Sequence, residues 1–251
     1  MNLLAKPEVA QRIIEAYRDA AQKNPTSLQV RYALAELYKQ SGQLERARQE
    51  LEQATKIAPN DYAVHLALVN FFSETGQIDA AVNAMRRVME LVSPTQTADY
   101  SRFQDFYAQL QRMQGAIQAT QKSPNDVTAH RTLAVMWRAR GQPQFALPEY
   151  QAIARLAPND YDAQKNAALL SLQLNQTDDA QRALVAAAAL APENEKAMWQ
   201  NVQVALNAQK TGQLDQASKA AQAALALASA ADKPALQAYV TFLQEQVAIP
   251  R

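Results

Sequence analysis

The sequence predicts an all-α protein, and three observations support this prediction. Alanine supplies 51 of the 251 residues and glutamine 31, and both lose little conformational freedom in a helix. Valine, isoleucine and threonine, which strands favour, total only 32 residues. Prolines recur at intervals of 34 residues, from 25 to 59, from 124 to 158 and from 158 to 192. A β-sandwich or barrel is therefore excluded, and a parallel α/β sheet is disfavoured.

The charge balance argues against a nucleic-acid partner. Lysine and arginine total 25 against 24 aspartates and glutamates, so the formal charge is +1 and no basic excess exists to neutralise phosphates.

The chain has no run of about 18 apolar residues, so we expect no membrane insertion. We expect a cytoplasmic protein if the chain is complete. A periplasmic or other extracytoplasmic location stays open for a segment of a longer protein, because the absence of cysteine fits every compartment.

The prolines belong to a motif that recurs along the chain. It reads Ala-Pro-Asn-Asp-Tyr at 58–62 and 157–161, Ser-Pro-Asn-Asp-Val at 123–127 and Ala-Pro-Glu-Asn at 191–194. A second motif lies between successive prolines. It reads Gly-Gln-Leu-Glu-x-Ala at 42–47, with variants at 76–81, 141–146 and 212–217, and with asparagine in place of glycine at 175–180. This recurrence indicates an internal repeat.

Each repeat is predicted to hold two helices joined by a tight turn. Asp61, Asp126 and Asp160 follow the prolines, where an N-cap is needed, and each precedes apolar residues at helical spacing. Glycine, or Asn175 in one repeat, permits the left-handed conformation that ends the first helix. A small alanine five residues later lets the two helices approach closely. These alanines are Ala47, Ala81, Ala146, Ala180 and Ala217.

The motifs resemble the tetratricopeptide repeat, a helix-turn-helix unit of about 34 residues. The consensus residues at positions 7, 8, 11, 15, 20, 27 and 32 appear in the first full repeat as Leu34, Ala35, Tyr38, Gly42, Ala47, Ala54 and Pro59. The resemblance implies a right-handed α-solenoid, or superhelix. It also implies a non-catalytic scaffold, in which the first helices of successive repeats line a concave groove that binds a peptide or an extended protein segment.

We predict one tetratricopeptide solenoid domain over residues 1–251, with an N-terminal helix at 7–27 and a C-terminal capping helix at 233–247. The full repeats occupy residues 28–61, 62–94, 127–160, 161–194 and 195–231. Residues 95–126 are a degenerate repeat, four residues short, so either its two helices fuse or the second is cut down. Its turn glycine is displaced to Gly115. Pro148 lies inside a predicted second helix and should bend or delay it.

No group of residues predicts catalysis, a metal or a cofactor. His65 and His130 are the only histidines and both occupy position 4 of a repeat, so we interpret them as partly buried structural residues. The chain has neither cysteine nor a His-x-x-x-His pair for a metal. It also lacks serine elbows and glycine-rich phosphate loops. We therefore predict that the protein is not an enzyme.

The resemblance places the candidate partner-binding residues on the first helix of each repeat, near positions 2, 5, 9 and 12. In the later repeats four basic side chains flank apolar residues, and such a floor suits a segment that is acidic or ends in a carboxylate. An ordinary solvated face with scattered charges is the alternative. The candidate groove residues are Tyr32, Glu36, Lys39, Leu66, Asn70, Arg131, Val135, Arg138, Lys165, Leu169, Leu172 and Lys196.

The sequence leaves other roles to consider, one of which the groove positions disfavour. Chaperone-binding members of the family combine lysine at position 5 with asparagine at position 9 of one repeat, and no repeat here has that pair, so a co-chaperone role is disfavoured. The alanine-rich stretches at 186–189 and 217–231 would suit an architectural or self-assembling subunit, although repeat packing also explains them. The remaining alternative is an accessory domain of a larger enzyme or membrane-associated protein.

Overall fold

The computed structural model describes residues 7–92 and 99–248, and within these ranges all regular secondary structure is α-helical. The predicted all-α class is therefore confirmed. The helices are α1 Pro7–Lys23, α2 Leu28–Gln40, α3 Leu44–Ile57, α4 Tyr62–Glu74, α5 Ile78–Leu91, α6 Tyr100–Lys122, α7 Val127–Ala139, α8 Pro143–Leu156, α9 Tyr161–Gln173, α10 Thr177–Leu190, α11 Glu193–Lys210, α12 Leu214–Leu227 and α13 Lys233–Ala248.

The chain divides into two compact units, Met1–Gln114 (unit 1) and Gly115–Arg251 (unit 2), and the division falls inside α6. In unit 1, α2 pairs with α3 and α4 with α5, while α1 packs on α2 and α3 on α4. In unit 2 the pairs are α7 with α8, α9 with α10 and α11 with α12, and they are joined through α8–α9 and α10–α11 contacts. Each unit is thus an α-solenoid of stacked helix pairs. The single domain over residues 1–251 stays a prediction.

The predicted aspartate N-caps are confirmed. The Asp126 carboxylate accepts hydrogen bonds from the backbone N–H groups of Thr128 and Ala129, at 2.8 and 3.2 Å. Asp61 caps α4 and Asp160 caps α9 in the same way. Each carboxylate satisfies backbone donors that the first helical turn leaves without an intrahelical partner.

The predicted left-handed residues are found where the first helix of a pair ends. Gly42 has φ of 74° and Asn175, which replaces glycine in its repeat, has φ of 57°. At the first of these turns the N–H of Gln43 reaches back to the carbonyl of Tyr38 at 2.8 Å, which closes the helix as in a Schellman motif. The helix that follows begins within two residues of the turn.

The small alanines lie where the paired helices meet. Ala47, Ala81, Ala146, Ala180 and Ala217 are all fully buried, as their spacing predicts. Within the alanine-rich stretch 217–231, the side chains of Ala220, Ala221 and Ala224 are also buried in the core of unit 2. Packing between helices therefore accounts for much of this stretch.

Two segments depart from the regular repeat, and the structure shows how each of them folds. Residues 100–122 form the single helix α6, so fusion is the alternative that is observed. The prediction that Gly115 is a turn glycine is wrong, because Gly115 lies inside α6; with the segment four residues short, the helix continues through it.

Pro148 lies inside α8, but α8 still begins at Pro143, so the proline does not delay this helix. Pro148 is the sixth residue of α8, so it removes the hydrogen bond that an N–H there would donate to the carbonyl of Gln144, but the helix continues to Leu156.

Helix α13 makes one contact that the sequence does not predict. It packs against α12, as a helix covering the last repeat would, and also against α9. Leu236, Tyr239 and Leu243 of α13 are buried in one apolar cluster with Leu169 and Leu172 of α9. The C-terminal helix thus covers the face of α9 on which candidate groove residues lie.

Candidate functional site

A pocket of about 260 Å³ lies in unit 1, where α2 and α4 present their candidate groove residues. Its lining includes Tyr32, Glu36 and Lys39 from α2 and Asn70 from α4, together with Glu74. The structure thus brings together four of the five candidates from the first two repeats. The apolar lining consists of Ala35, Leu51, Ala67 and Phe71.

Three charged side chains of the pocket lining contact one another. The ammonium of Lys39 lies 2.8 Å from the carboxylate of Glu36 and 2.6 Å from that of Glu74. Partial burial acts to lower the pKa of Lys39, but the hydrogen bonds to Glu36 and Glu74 outweigh it and raise that pKa. The hydrogen bond from Lys39 in turn lowers the pKa of Glu36. Two carboxylates on different helices therefore share one ammonium.

The other polar groups of the pocket are neutral. Burial raises the pKa of the Tyr32 hydroxyl, and the negative charge of Asp61 adds to this shift, so Tyr32 stays protonated. The Asn70 amide is exposed and makes no hydrogen bond to any residue in the described ranges. Leu66 lies one helical turn before Asn70 on α4 and is partly buried, so both lie on the same face of the helix.

The two basic candidate residues of α7 contact the start of α9 and its first turns. The guanidinium of Arg131 pairs with Asp160 and lies 3.3 Å from the carboxylate of Asp162. Arg138 donates a hydrogen bond to the amide oxygen of Asn166. These two basic side chains are therefore already bound by residues of the next repeat.

Lys165 lies in a partly buried network that links α9, α11 and the start of α13. Its ammonium is 3.2 Å from Glu195 and 2.9 Å from Asp232, whose side chain is only 3% exposed. Glu195 also accepts a hydrogen bond from the hydroxyl of Tyr161 at 2.6 Å, and Tyr161 accepts one from the indole N–H of Trp199 at 2.9 Å. Burial acts to lower the pKa of Lys165, but the bonds to Asp232 and Glu195 outweigh it and raise that pKa.

The remaining candidates are divided between core and surface. Leu169 and Leu172 are buried in the apolar cluster that includes α13, and Leu169 also lines a pocket of about 170 Å³ with Arg138 and Asn166. Val135 is exposed, and Lys196 pairs with Glu193 on its own helix at 2.6 Å. The sequence does not identify Asp232 as the partner of Lys165, because Asp232 precedes a helix and resembles an ordinary capping residue.

The same side-chain hydrogen bond recurs at position 4 of four repeats. There a polar side chain donates a hydrogen bond to the carbonyl of the proline six residues earlier. The pairs are Arg31 with Pro25, His65 with Pro59, His130 with Pro124 and Gln164 with Pro158. His130 is buried and His65 partly buried, as expected for structural residues.

Stacked helix pairs with left-handed turns and buried small residues define an α-solenoid of helix-turn-helix repeats. A family model described as tetratricopeptide repeat matches residues 10–61 and 40–110. Residues 10–110 therefore match the tetratricopeptide repeat family, and repeats of this kind generally mediate interactions between proteins.

Three of the solved structures that match the chain are described as tetratricopeptide repeat proteins or domains. YrrB, described as having an unusual peptide-binding site, is 15% identical, with 89% of this chain and 97% of YrrB covered and a TM-score of 0.32. The tetratricopeptide domain of P58(IPK) is 13% identical, with coverages of 98% and 77% and a TM-score of 0.35. The TPR2AB domain of yeast Sti1, solved with pHSP90, is 15% identical, with coverages of 99% and 95% and a TM-score of 0.37. No curated protein matches the sequence.

Membrane-spanning helices and metal-binding side-chain clusters are both absent from residues 7–92 and 99–248. No helix in these ranges is long and apolar enough to cross a membrane. In the same part of the chain, no three histidine, aspartate or glutamate side chains are grouped closely enough to hold a metal ion.

Proposed function

We propose that this protein is a non-catalytic interaction scaffold that binds a peptide or an extended protein segment at the pocket between α2 and α4. The observation that carries the proposal is the convergence of Tyr32, Glu36, Lys39 and Asn70 on that pocket. Three of them lie on α2 and Asn70 lies on α4, and together with four apolar residues they line one pocket.

The free amide of Asn70 suits the backbone of an extended segment. An asparagine side chain offers one acceptor and two donors, so it can bind a peptide carbonyl and a peptide N–H together. Tyr32 adds a hydroxyl that stays protonated, and Leu66 extends the apolar contact along α4. Specificity would come from the side chain that enters the pocket above Ala67 and Phe71.

The corresponding face of unit 2 is a weaker candidate. A segment bound there would have to displace Asp160 from Arg131 and Asp232 from Lys165. It would also have to remove α13 from Leu169, which is buried beneath it. An acidic or C-terminal partner at this face therefore requires partial opening of unit 2.

Peptide selection tests the proposal. Random 12-residue peptides would be panned on the immobilised full chain, and the affinity of a recovered peptide would be measured by fluorescence anisotropy. We expect Asn70→Ala to weaken binding about threefold to tenfold, the effect of losing one or two hydrogen bonds. Gln53→Ala, an exposed substitution on α3, is the matched control and should leave affinity unchanged.

A different pattern would overturn the proposal. If recovered peptides bind equally well to wild type and to Asn70→Ala, the site lies elsewhere. If no peptide binds at all, the pocket is not a peptide-binding site. Self-association and a role as an accessory domain stay as alternative predictions.

A further inference from the structure

Among the described residues that line the cavity of about 170 Å³ in unit 2, Arg138 is the one charged side chain, and we infer that this cavity binds a small carboxylic acid. The carboxylate of the ligand would pair with the guanidinium of Arg138, and its apolar part would lie against α9. The cavity is separate from the pocket between α2 and α4 in unit 1, so the inference does not depend on the proposed function.

Arg138 differs from the other basic candidate residues of the later repeats in its partner. Arg131, Lys165 and Lys196 each pair with an aspartate or a glutamate. Arg138 instead donates a hydrogen bond to the side-chain oxygen of Asn166, which is neutral, and it pairs with no carboxylate in the described ranges. The Arg138 side chain is partly buried. A partly buried cation without a paired carboxylate favours an anionic ligand, because charges attract more strongly where water is partly excluded.

Asn166 holds the guanidinium of Arg138 in position. The Asn166 side chain is only 3% exposed, and its amide nitrogen donates a hydrogen bond at 2.7 Å to the backbone carbonyl of Asp162, in the preceding turn of α9. The amide oxygen is thereby directed towards Arg138. Because a guanidinium has several N–H donors and Asn166 takes one of them, donors remain for the two oxygens of a carboxylate. The side-chain amide of Gln173 also lines the cavity and has no hydrogen-bond partner in the described ranges, so it adds a further donor.

The remaining lining suits a compact apolar group. Leu169, Leu170 and Ala235 are buried, and Pro143 and Pro234 complete the apolar wall. A cavity of about 150 Å³ is large enough for benzene, so this cavity has room for a ring or a branched alkyl group of similar size. A ligand that carried an ammonium would instead meet the like charge of Arg138.

The cavity is accessible while α13 is in place. Gly141, Ala231 and Pro234 belong to its lining and are exposed, and the last two lie just before and at the start of α13. A protein segment that followed the face of α9 would have to remove α13, whereas a small molecule would not. The structure therefore favours a free small acid over the acidic or C-terminal protein segment that the sequence suggested for this face.

The charge of the cavity matches a carboxylate better than a phosphate. A carboxylate presents its two oxygens in one plane, and a planar guanidinium can bind them side by side. A phosphate monoester carries a charge of about −2 and presents three oxygens, but Arg138 alone supplies positive charge among the described lining residues.

Benzoate is the probe for the test, and its binding to the full chain is measured by isothermal titration calorimetry. We expect benzoate to bind, and benzamide, a neutral molecule of the same size, to bind at least about tenfold more weakly. Arg138→Gln should weaken benzoate binding about tenfold or more, because it removes the charge that pairs with the carboxylate. The matched control is Arg182→Gln, which removes an exposed charge of α10 that pairs with Asp179 outside the cavity and should leave the affinity unchanged.

The comparison of benzoate with benzamide on the wild-type chain keeps the inference falsifiable if circular dichroism shows that Arg138→Gln is unfolded. Equal affinity for the two molecules, tighter binding of phenyl phosphate than of benzoate, or no binding of benzoate at millimolar concentration would overturn the inference. Loss of benzoate binding in Asn70→Ala would place the ligand in unit 1 and overturn it as well. Each of these results leaves the proposed function standing, because peptide selection tests that function separately.

Discussion

His130 and Glu149 form a contact between the two helices of one repeat, with Nδ1 of the imidazole 2.6 Å from the carboxylate. On its other side, Nε2 lies 2.9 Å from the carbonyl of Pro124. A carbonyl only accepts hydrogen bonds, and an ionised carboxylate does the same, so both ring nitrogens must donate. The arrangement therefore favours the doubly protonated imidazolium. Arg31, which is always cationic, makes the equivalent pair of contacts with Glu50 and Pro25.

This contact predicts that the stability of the protein depends on pH. Burial acts to lower the pKa of His130, but the hydrogen bonds to Glu149 and Pro124 outweigh it and raise that pKa above its usual 6.5. Because the pKa is raised in the folded state, the stabilisation is fully present below 6.5. It is lost as the pH rises through the folded-state pKa. Urea unfolding at pH 6 and at pH 9 should show a smaller free energy of unfolding at the higher pH.

His130→Gln is the informative variant for this prediction. Gln164 occupies the same position in the next repeat and bonds the carbonyl of Pro158 without a titrating group. The variant should keep the bond to Pro124 and lose the part of the pH dependence that His130 supplies. An unchanged difference between pH 6 and pH 9 in the variant would contradict the assignment.

Two glycines are predicted to respond to alanine in opposite directions. Gly115 lies inside α6, and a Cβ there would meet no atom within 4 Å, so Gly115→Ala should stabilise the protein by about 0.5–1 kcal/mol. Gly42 also has open space but has φ of 74°, so Gly42→Ala should destabilise by about 1 kcal/mol. Thermal and urea unfolding of both variants measure the two effects. A destabilised Gly115→Ala would mean that α6 is interrupted at that residue.

The network around Lys165 is predicted to stabilise unit 2 strongly. Lys165→Met leaves the buried carboxylate of Asp232 without its cation, and we expect a loss of about 2–3 kcal/mol. Adding Asp232→Asn should recover part of the loss, because it removes the buried charge. Lys196→Met is the control, since the pair of Lys196 with Glu193 is exposed and should change stability by less than about 0.5 kcal/mol. Equal losses for Lys165→Met and Lys196→Met would contradict the role of burial.

The repeated features of the fold could be predicted because they are local. Asp126 caps the helix that it precedes, Asn175 ends the helix that it follows, and Ala47 needs only its spacing from the turn. Such residues act within a few positions of themselves, so a short sequence window contains the whole interaction. The 34-residue period then assigns the same roles in the other repeats.

The candidate site was predicted less fully, because its state depends on contacts between distant segments. Residues at groove positions can be named from the period, but whether a charge there is free depends on its neighbour. Lys165 contacts Asp232, which lies 67 positions later in the sequence, and the repeat motif does not predict that contact. The packing of α13 on α9 has the same origin, since a terminal helix carries no periodic signal for the helix that it will cover.

The two carboxylate oxygens of Asp160 accept hydrogen bonds from different partners. One oxygen accepts the N–H of Ala163 at the start of α9, and the other binds the guanidinium of Arg131. Serine at this position would still begin the helix, but it would leave Arg131 without this carboxylate. A substitution at this one capping residue would therefore change the charge that the surface around Arg131 presents to other molecules, while the helices stay the same.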